Sequence, residues 1–192
     1  MKVVEIFDSI QGEGQWMGVM KTFVRFAGCN LKCPFCDEAS KYGQAKEMAI
    51  SEIVAACKQE GVVLTGGEPT IQSDLIILIG ALMQDGHHVA IETNGTGVIP
   101  PIDSLWVTCS PKAPDYKVCA HDEMKLVVDE QLTFEKAKEI AEAEDEFVWL
   151  QPCDGPDLEL FQKSKRRIIE WITKEPNLFR AGIQLHKWYG VV

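Results

Sequence analysis

Long apolar runs are absent from the sequence, and no stretch approaches the roughly 20 residues that a membrane-spanning helix needs. The N-terminus reaches charged residues and glycine too early for the hydrophobic region of a signal peptide. Positive charge is also scarce: 19 Lys and Arg stand against 29 Asp and Glu, a formal net charge of −10. We therefore expect a cytoplasmic protein that binds neither membranes nor nucleic acid.

Linkers, internal repeats and low-complexity tracts are absent too, so we expect one domain spanning residues 1–192. Short aliphatic and β-branched runs alternate with helical patterns. The predicted strands cover residues 22–27, 62–64, 88–92, 104–108, 123–128, 147–151 and 182–185. The predicted helices cover residues 50–59, 73–83, 134–143 and 158–173. This order predicts an α/β fold with a mainly parallel sheet. The links 92–105 and 110–123 are too short and too rich in Pro and Gly for crossover helices, which predicts a reduced helical layer.

The cysteines carry the strongest motif. In a reducing compartment thiols stay free, so clustered cysteines indicate metal or redox chemistry. Cys29, Cys33 and Cys36 follow a predicted strand with C-x₃-C-x₂-C spacing. Three thiolates supply three of the four ligands of a [4Fe–4S] cubane and leave one iron open. The alternative is structural zinc, which needs four protein ligands, and no further Cys or His lies close in sequence.

A second motif, Gly66-Gly67-Glu68-Pro69, follows another predicted strand about thirty residues later. In parallel α/β folds this end of the strands is where ligands bind. Glycine allows a ligand to approach the backbone, and the Glu68 carboxylate can meet an ammonium group. Taken alone, the motif is equally compatible with an ordinary turn.

Together, the two motifs resemble those of the radical S-adenosylmethionine (SAM) superfamily, with Phe35 in the usual aromatic position. The resemblance implies that SAM chelates the open iron through its amino and carboxylate groups. Reductive cleavage then yields a 5′-deoxyadenosyl radical that abstracts a hydrogen atom from the substrate. It also implies an incomplete TIM-like barrel and an electron donor such as flavodoxin.

Further segments narrow the resemblance to one family and cover nearly the whole chain. They are FDSIQGEG at 7–14, FVRFAGCNL at 23–31, ETNGT at 92–96, SPK at 110–112, QPCD at 151–154 and QLHK at 184–187. These segments resemble the 7-carboxy-7-deazaguanine synthases of queuosine biosynthesis. That family converts 6-carboxy-5,6,7,8-tetrahydropterin to 7-carboxy-7-deazaguanine by ring contraction with loss of ammonia. The resemblance also implies a homodimer.

Such a substrate needs a cation for its carboxylate and acceptors for its guanidine-like edge. Arg25 is the candidate for the carboxylate, because guanidinium pairs with it bidentately; a surface ion pair is the alternative. Gln11 and Glu13 are candidates for the pterin edge. His186 is a candidate on the substrate side, although a lone histidine is as often structural. The full set of expected substrate contacts is Ile10, Gln11, Gly12, Glu13, Arg25, Thr93 and His186.

The cofactor contacts follow from the resemblance alone. Ser110 and Lys112 are expected at the ribose or carboxylate of the cofactor, and the segment 151–154 near its adenine. The full set is Phe35, Asp37, Gly66, Gly67, Glu68, Gly95, Ser110, Lys112, Gln151 and Asp154. No catalytic residue beyond the cluster ligands is predicted.

One position departs from the family pattern. After the third cysteine the family has Asp and then Thr or Ser, whose hydroxyl helps to hold Mg²⁺, whereas this chain has Asp37 and Glu38. A carboxylate is a hard oxygen ligand, so we expect Glu38 either to bind Mg²⁺ or to change the metal requirement. Ser40 is a weaker substitute.

Three alternatives remain open at this point. Another short radical SAM enzyme, such as a glycyl-radical activase, would share both motifs but would not need the segments 7–14 and 184–187 for a small molecule. An iron–sulfur electron carrier or sensor usually ligates its cluster completely, so the missing fourth cysteine argues against it. A zinc-binding module lacks its fourth ligand.

Overall fold

The computed structural model describes residues 1–36, 39–112, 116–155 and 157–191. Its strands are β1 (Lys2–Ile10), β2 (Met20–Phe26), β3 (Lys46–Glu47), β4 (Gly61–Gly66), β5 (His88–Thr93), β6 (Trp106–Cys109), β7 (Glu123–Val128), β8 (Val148–Pro152) and β9 (Phe179–Ala181). Its α-helices are α1 (Ile50–Ala56), α2 (Leu75–Gln84), α3 (Phe134–Ala141), α4 (Leu158–Lys174) and α5 (Leu185–Tyr189). None of these helices is long and apolar enough to cross a membrane.

The nine strands of the described residues form one sheet, in the order β3-β1-β2-β4-β5-β6-β7-β8-β9. From β2 to β9 neighbouring strands are parallel. Only β1 is antiparallel to its neighbours β2 and β3. The two edge strands, β3 and β9, are not paired with each other in the described residues, so the sheet forms a partial barrel. The predicted mainly parallel α/β fold is confirmed.

Two apolar clusters hold helices against the outer face of the sheet. In α2, Leu75, Leu78, Ile79 and Leu82 are buried at the spacing of one helix face, and they pack with residues of β2, β4 and β5. The second cluster joins β7, β8 and β9 to α3 and α4. The described parts of the links on either side of β6 contain no helix, which confirms the predicted reduction of the helical layer.

The sequence prediction is wrong at the C-terminal end of the sheet. The last strand is β9, not 182–185, because Phe179 pairs with Val148 and is completely buried. Ile183 is instead 47% exposed. Leu185 N then donates to Gly12 O at 2.9 Å, so the chain turns back towards β1 and continues as α5. The sequence also does not predict β1 or β3.

Candidate active site

Two neighbouring cavities open where the parallel strands end. The cysteine cavity, of about 240 Å³, is lined by Cys29, Cys33 and Cys36. The N-terminal cavity, of about 210 Å³, is lined by Gln11 and Gly12, which follow β1. The wall that both cavities share is formed by Glu13, Thr65, Gly66, Glu92 and Gln184. Ligands in the two cavities would therefore lie side by side.

The loop after β4 lies directly on the start of the cysteine loop. Gly67 N donates to Phe26 O at 3.0 Å, and Glu68 N donates to Gly28 O at 2.9 Å. A Cβ atom at Gly67 would lie 1.7 Å from Gly28 O. Only glycine permits this approach, which places the end of β4 beside the cysteines.

The Glu68 carboxylate is an internal hydrogen-bond acceptor. It is fully buried and does not line either cavity. It accepts hydrogen bonds from Thr70 N at 3.0 Å, Thr70 Oγ1 at 2.6 Å, Thr93 Oγ1 at 2.7 Å and Asn94 N at 2.7 Å. Glu68 therefore ties the loop after β4 to the loop after β5. This placement differs from the predicted contact with a cofactor ammonium group.

Asn94, whose backbone N–H is bound by Glu68, also contacts the cysteine loop. Its Nδ2 donates to Asn30 Oδ1 at 3.0 Å and lies 3.9 Å from Cys29 Sγ. Leu31 N also donates to Cys29 Sγ at 3.3 Å. Hydrogen bonds to a cluster thiolate tune its reduction potential, so these groups can influence a bound cluster.

The three thiols fit a cubane cluster better than a single metal ion. All three line one cavity. In the described part of the chain, however, no three His, Cys, Asp or Glu side chains converge closely enough to hold one metal ion. Structural zinc takes four protein ligands, whereas three thiolates are the protein's share of a [4Fe–4S] cluster that leaves one iron open. The donor set therefore fits the cluster.

A buried charged network crosses the shared wall. Lys125 Nζ donates to Glu13 Oε2 at 2.5 Å and to Glu92 Oε2 at 3.2 Å. Gln11 Nε2 donates to Glu92 Oε1 at 2.9 Å, and Gln184 Nε2 donates to Glu13 Oε1 at 2.8 Å. One ammonium and two amide groups thus hold two carboxylates at the boundary of the two cavities.

The network shifts the pKa values of its members. Burial by itself lowers the pKa of Lys125, but Glu13 and Glu92 outweigh it and raise that pKa. Burial raises the pKa of Glu92, but Lys125 and the hydrogen bond from Gln11 outweigh it and lower that pKa. Both groups are therefore charged at neutral pH. Lys112, also in the cysteine cavity, differs: burial and then the nearby Lys125 lower its pKa to about 8.

Arg25 lines the N-terminal cavity from β2. Its Nε lies 2.8 Å from Glu5 Oε1, and its guanidinium carbon lies 5.2 Å from the centroid of the Phe7 ring. The side chain is 15% exposed. The ion pair and the stacked ring fix the guanidinium on the cavity wall.

The cofactor-side candidates lie on the opposite wall. Gln151, at the end of β8, lines the cysteine cavity, and its buried Oε1 accepts no hydrogen bond from any described residue. This oxygen is packed against Gly182, 2.4 Å from where a Cβ atom of that residue would stand. Asp154 Oδ2 pairs with Lys187 Nζ at 2.7 Å, and Ser110 Oγ accepts from Lys112 Nζ at 2.5 Å. These groups fit the polar parts of SAM.

The structure brings most of the predicted site residues together. The cysteine cavity includes Glu13, Phe35, Gly66, Gly67, Thr93, Ser110, Lys112, Gln151 and Asp154. The N-terminal cavity includes Ile10, Gln11, Gly12, Glu13, Arg25 and His186. Glu68 and Gly95 line neither cavity. Asp37 and Glu38 lie outside the described residues.

Four residues of the two cavities are absent from the predicted contacts although they lie in or beside the shared wall. They are Thr65, Glu92 and Gln184, which line both cavities, and Lys125, which lines the cysteine cavity. Glu92 and Gln184 stand in two of the segments that carry the family resemblance. Lys125 could have been found from the sequence, because it is a charged residue within the apolar run of a predicted strand. A charged side chain at such a position needs a buried partner.

Comparison with known proteins agrees with this geometry. A profile of the Radical SAM superfamily matches residues 23–148. A 7-carboxy-7-deazaguanine synthase of Bacteroides thetaiotaomicron is 39% identical over 191 residues, covering 97% of this chain and 96% of that protein. A 7-carboxy-7-deazaguanine synthase of Neisseria meningitidis is 33% identical over 204 residues, covering 99% of this chain and 93% of that protein.

Solved structures give the same relationship. The crystal structure of QueE from Escherichia coli matches with a TM-score of 0.78 and 26% identity, over 96% of this chain and 94% of that chain. The structure of Streptococcus suis SuiB bound to S-adenosylmethionine matches with a TM-score of 0.54 and 16% identity, over 84% of this chain and 47% of that chain. At this identity the match supports the fold alone. The chain therefore belongs to the 7-carboxy-7-deazaguanine synthase family of the radical SAM superfamily.

Proposed function

We propose that this chain converts 6-carboxy-5,6,7,8-tetrahydropterin to 7-carboxy-7-deazaguanine with loss of ammonia. The names of its relatives support this reaction. The observation that carries the proposal is the wall shared by the cysteine cavity and the N-terminal cavity. Because the two cavities share these lining residues, a cofactor in one cavity would lie next to a pterin in the other. A radical reaction between two bound molecules requires such positioning.

Cys29, Cys33 and Cys36 would hold the [4Fe–4S] cluster. When bound, the cluster and SAM supply the one-electron chemistry that removes a hydrogen atom from the substrate. The chain's own residues position the cofactor. Gly66 and Gly67 offer backbone on one side of the cysteine cavity, and Gln151 lines another.

The N-terminal cavity would hold the pterin. Arg25 is held by Glu5 and Phe7 and would bind the substrate carboxylate. Glu13 and Glu92 would accept hydrogen bonds from the guanidine-like edge, because each carboxylate oxygen retains a lone pair beyond its present bonds. Lys125 lowers the pKa of Glu92 and holds both carboxylates in position through its hydrogen bonds.

Magnesium is part of the proposal, with Glu38 as its ligand in place of the family hydroxyl and Ser40 as the weaker substitute. Two anionic carboxyl groups, one from the chain and one from the substrate, would need a cation between them.

We also propose a reducing, cytoplasmic setting, an electron donor such as flavodoxin, and a homodimer. All seven cysteines are free thiols, which supports the reducing setting.

The test is anaerobic reconstitution with iron and sulfide, followed by incubation with SAM, reductant and the carboxytetrahydropterin. Chromatography should show 7-carboxy-7-deazaguanine and 5′-deoxyadenosine. Formation of 5′-deoxyadenosine without the deazaguanine would contradict this substrate and direct attention to another radical SAM reaction.

A further inference from the structure

Two cysteines outside the cluster loop lie together at the end of β6. Cys109 is the last residue of β6, and its side chain is completely buried in the second apolar cluster. Cys119 follows ten residues later, in the link to β7, and packs against the same cluster. We call Cys109 and Cys119 the thiol pair. Ser110 and Lys112, which line the cysteine cavity, lie between them in sequence.

Direct contacts join the two members of the thiol pair. The Cys109 sulfur accepts a hydrogen bond from the backbone N–H of Cys119, and the Cys109 thiol donates one to the Cys119 sulfur. A Cβ atom at Gly95 would meet both Cys109 Sγ and Lys117 O, so the backbone just before Cys119 passes beside the Cys109 sulfur. A disulfide forms without a large backbone movement only where the two side chains are already neighbours.

The two thiols differ in exposure. Cys109 has no exposed surface, whereas Cys119 is only partly buried. Val118, beside Cys119 in the chain, is 45% exposed, so this link runs along the surface. A small molecule that approaches from solvent therefore meets Cys119 first, and Cys109 lies behind it.

The acidity of the two thiols differs in the same sense. The hydrogen bond from Cys109 and the nearby His121 lower the pKa of Cys119 to about 7, although burial and Glu68 oppose them. The same hydrogen bond and burial raise the pKa of Cys109. His121 is held beside Cys119, with Nδ1 2.6 Å from Cys119 O. Because the thiolate is the nucleophile, Cys119 is the reactive member of the pair at neutral pH.

The other two cysteines outside the cluster loop, Cys57 and Cys153, lack this combination. Both are buried, and burial raises the pKa of each to about 11. Cys57 Sγ donates to Ile53 O at 3.3 Å. Both are therefore unreactive thiols at pH 7, and Cys57 can serve as the reference.

We propose that the thiol pair is a redox site, at which Cys119 and Cys109 form a disulfide by exchange with a small disulfide such as oxidised glutathione. The Cys119 thiolate attacks one sulfur of that molecule, breaks its S–S bond and releases one thiolate. The Cys109 sulfur then attacks the Cys119 sulfur, expels the second thiolate and gives its proton to it. Two thiols of the chain are oxidised, and the small disulfide is reduced to two thiols.

The new bond would close a covalent loop from Cys109 to Cys119 that contains Ser110 and Lys112. Oxidation would thus restrain a segment that lines the cysteine cavity. Neither member of the thiol pair lines the cysteine cavity or the N-terminal cavity. The redox site therefore does not depend on the proposed reaction.

The test uses the reconstituted holoprotein under anaerobic conditions at pH 7. One sample is incubated with oxidised glutathione, and a second is then treated with dithiothreitol. Remaining thiols are blocked with N-ethylmaleimide, and the peptides are analysed by mass spectrometry. Peptides joined through Cys109 and Cys119, lighter by two hydrogen atoms than the free pair, should appear with glutathione and disappear with dithiothreitol. Absence of this link, with or without glutathione on Cys119, would overturn the proposal.

Two variants separate the roles of the two thiols. In Cys109→Ala, Cys119 should retain one bound glutathione, because the thiol that displaces it is missing. In Cys119→Ala, the buried Cys109 should stay unmodified; this variant changes the more exposed residue and keeps the test valid if Cys109→Ala does not fold. Cys57→Ala is the matched control and should form the link as the wild type does. Glutathione on Cys109 in Cys119→Ala, or loss of the link in Cys57→Ala, would contradict the assigned roles.

The rate of alkylation gives a further measure in the reduced wild type. Iodoacetamide at pH 7 should modify Cys119 at least about tenfold faster than Cys57, because only Cys119 is substantially ionised there. Equal rates at the two residues would show that Cys119 is not the reactive thiol.

Discussion

The hydroxyl of Thr93 donates a hydrogen bond of 2.7 Å to the carboxylate of Glu68, which is 25 residues earlier in the chain and fully buried. The same carboxylate accepts the backbone N–H of Asn94. The loop after β4 and the loop after β5 are therefore held together from inside the protein. Asn94 in turn lies against the cysteine loop, so Glu68 positions the site without lining its cavities.

Replacing Glu68 by Ala should lower the free energy of unfolding by about 2–4 kcal/mol, because several buried donors lose their acceptor. Urea denaturation of the cluster-free protein measures this. Glu60→Ala is the control, since the Glu60 side chain is 80% exposed and its loss should cost less than about 0.5 kcal/mol. Equal effects of the two substitutions would show that the Glu68 hydrogen bonds do not stabilise the fold.

Replacing Cys29, Cys33 or Cys36 by Ala should abolish the cluster. The reconstituted wild-type protein should contain about four iron and four sulfide per chain, measured by iron and sulfide assays. Cys57→Ala is the control, because Cys57 is buried in the core, where its Sγ donates to Ile53 O at 3.3 Å. Full cluster content in Cys33→Ala would contradict the assignment.

Replacing Arg25 by Ala should leave the cluster and cofactor cleavage intact but weaken substrate binding by about 1.5–3 kcal/mol, since one charge-assisted pair is lost. Arg25→Lys should restore only part of the affinity, because an ammonium group cannot form the bidentate pair. Equilibrium binding of the carboxytetrahydropterin measures both. Unchanged affinity in Arg25→Ala would place the substrate carboxylate elsewhere.

Replacing Lys125 by Met should destabilise the protein at pH 7 by about 3–5 kcal/mol, because Glu13 and Glu92 lose their buried cation. Urea denaturation measures the loss. Lys163→Met is the control: its pair with Glu130 is exposed, with 54% and 67% of the side chains accessible, and should contribute at most about 1 kcal/mol.

The pH dependence of the same variant has a definite sign. The pKa of Glu92 is lower in the folded protein than in the unfolded chain, so its contribution is complete above the unfolded value of about 4.3. This contribution of Glu92 to stability is lost as the pH falls through the lower pKa that Glu92 has in the folded protein. Wild-type stability should therefore decrease in that window. In Lys125→Met stability should increase as acid protonates the unpaired carboxylate, and parallel pH profiles would contradict the role of Lys125.

Activity should fall when Mg²⁺ is chelated and return when it is added. Glu38→Thr restores the hydroxyl of the family and should remain responsive to Mg²⁺, whereas Glu38→Ala should lose most of the response. A magnesium titration of product formation compares the three proteins. Identical titrations of the wild type and Glu38→Ala would assign no metal role to Glu38.

The sequence by itself determined the loop of three cysteines, which we predict to be the cluster ligands, and the repeated strand–helix order. Cys29, Cys33 and Cys36 stand within one loop, and their spacing is a local property. The helix α2 likewise follows from a local spacing of apolar residues. By contrast, 182–185 alternates like a strand, but the burial of Phe179 against β8 decides where the last strand lies.

Only the tertiary structure decided the shared wall of the active site. Lys125 and Glu13 are 112 residues apart and meet because β7 and the segment that follows β1 bring their side chains together in the folded chain. The sequence predicts that Glu68 binds the cofactor. In the structure its carboxylate instead accepts hydrogen bonds from Thr93 and Asn94 of the next loop and is buried. Such pairings depend on which strands become neighbours, a non-local outcome of packing that no local spacing encodes.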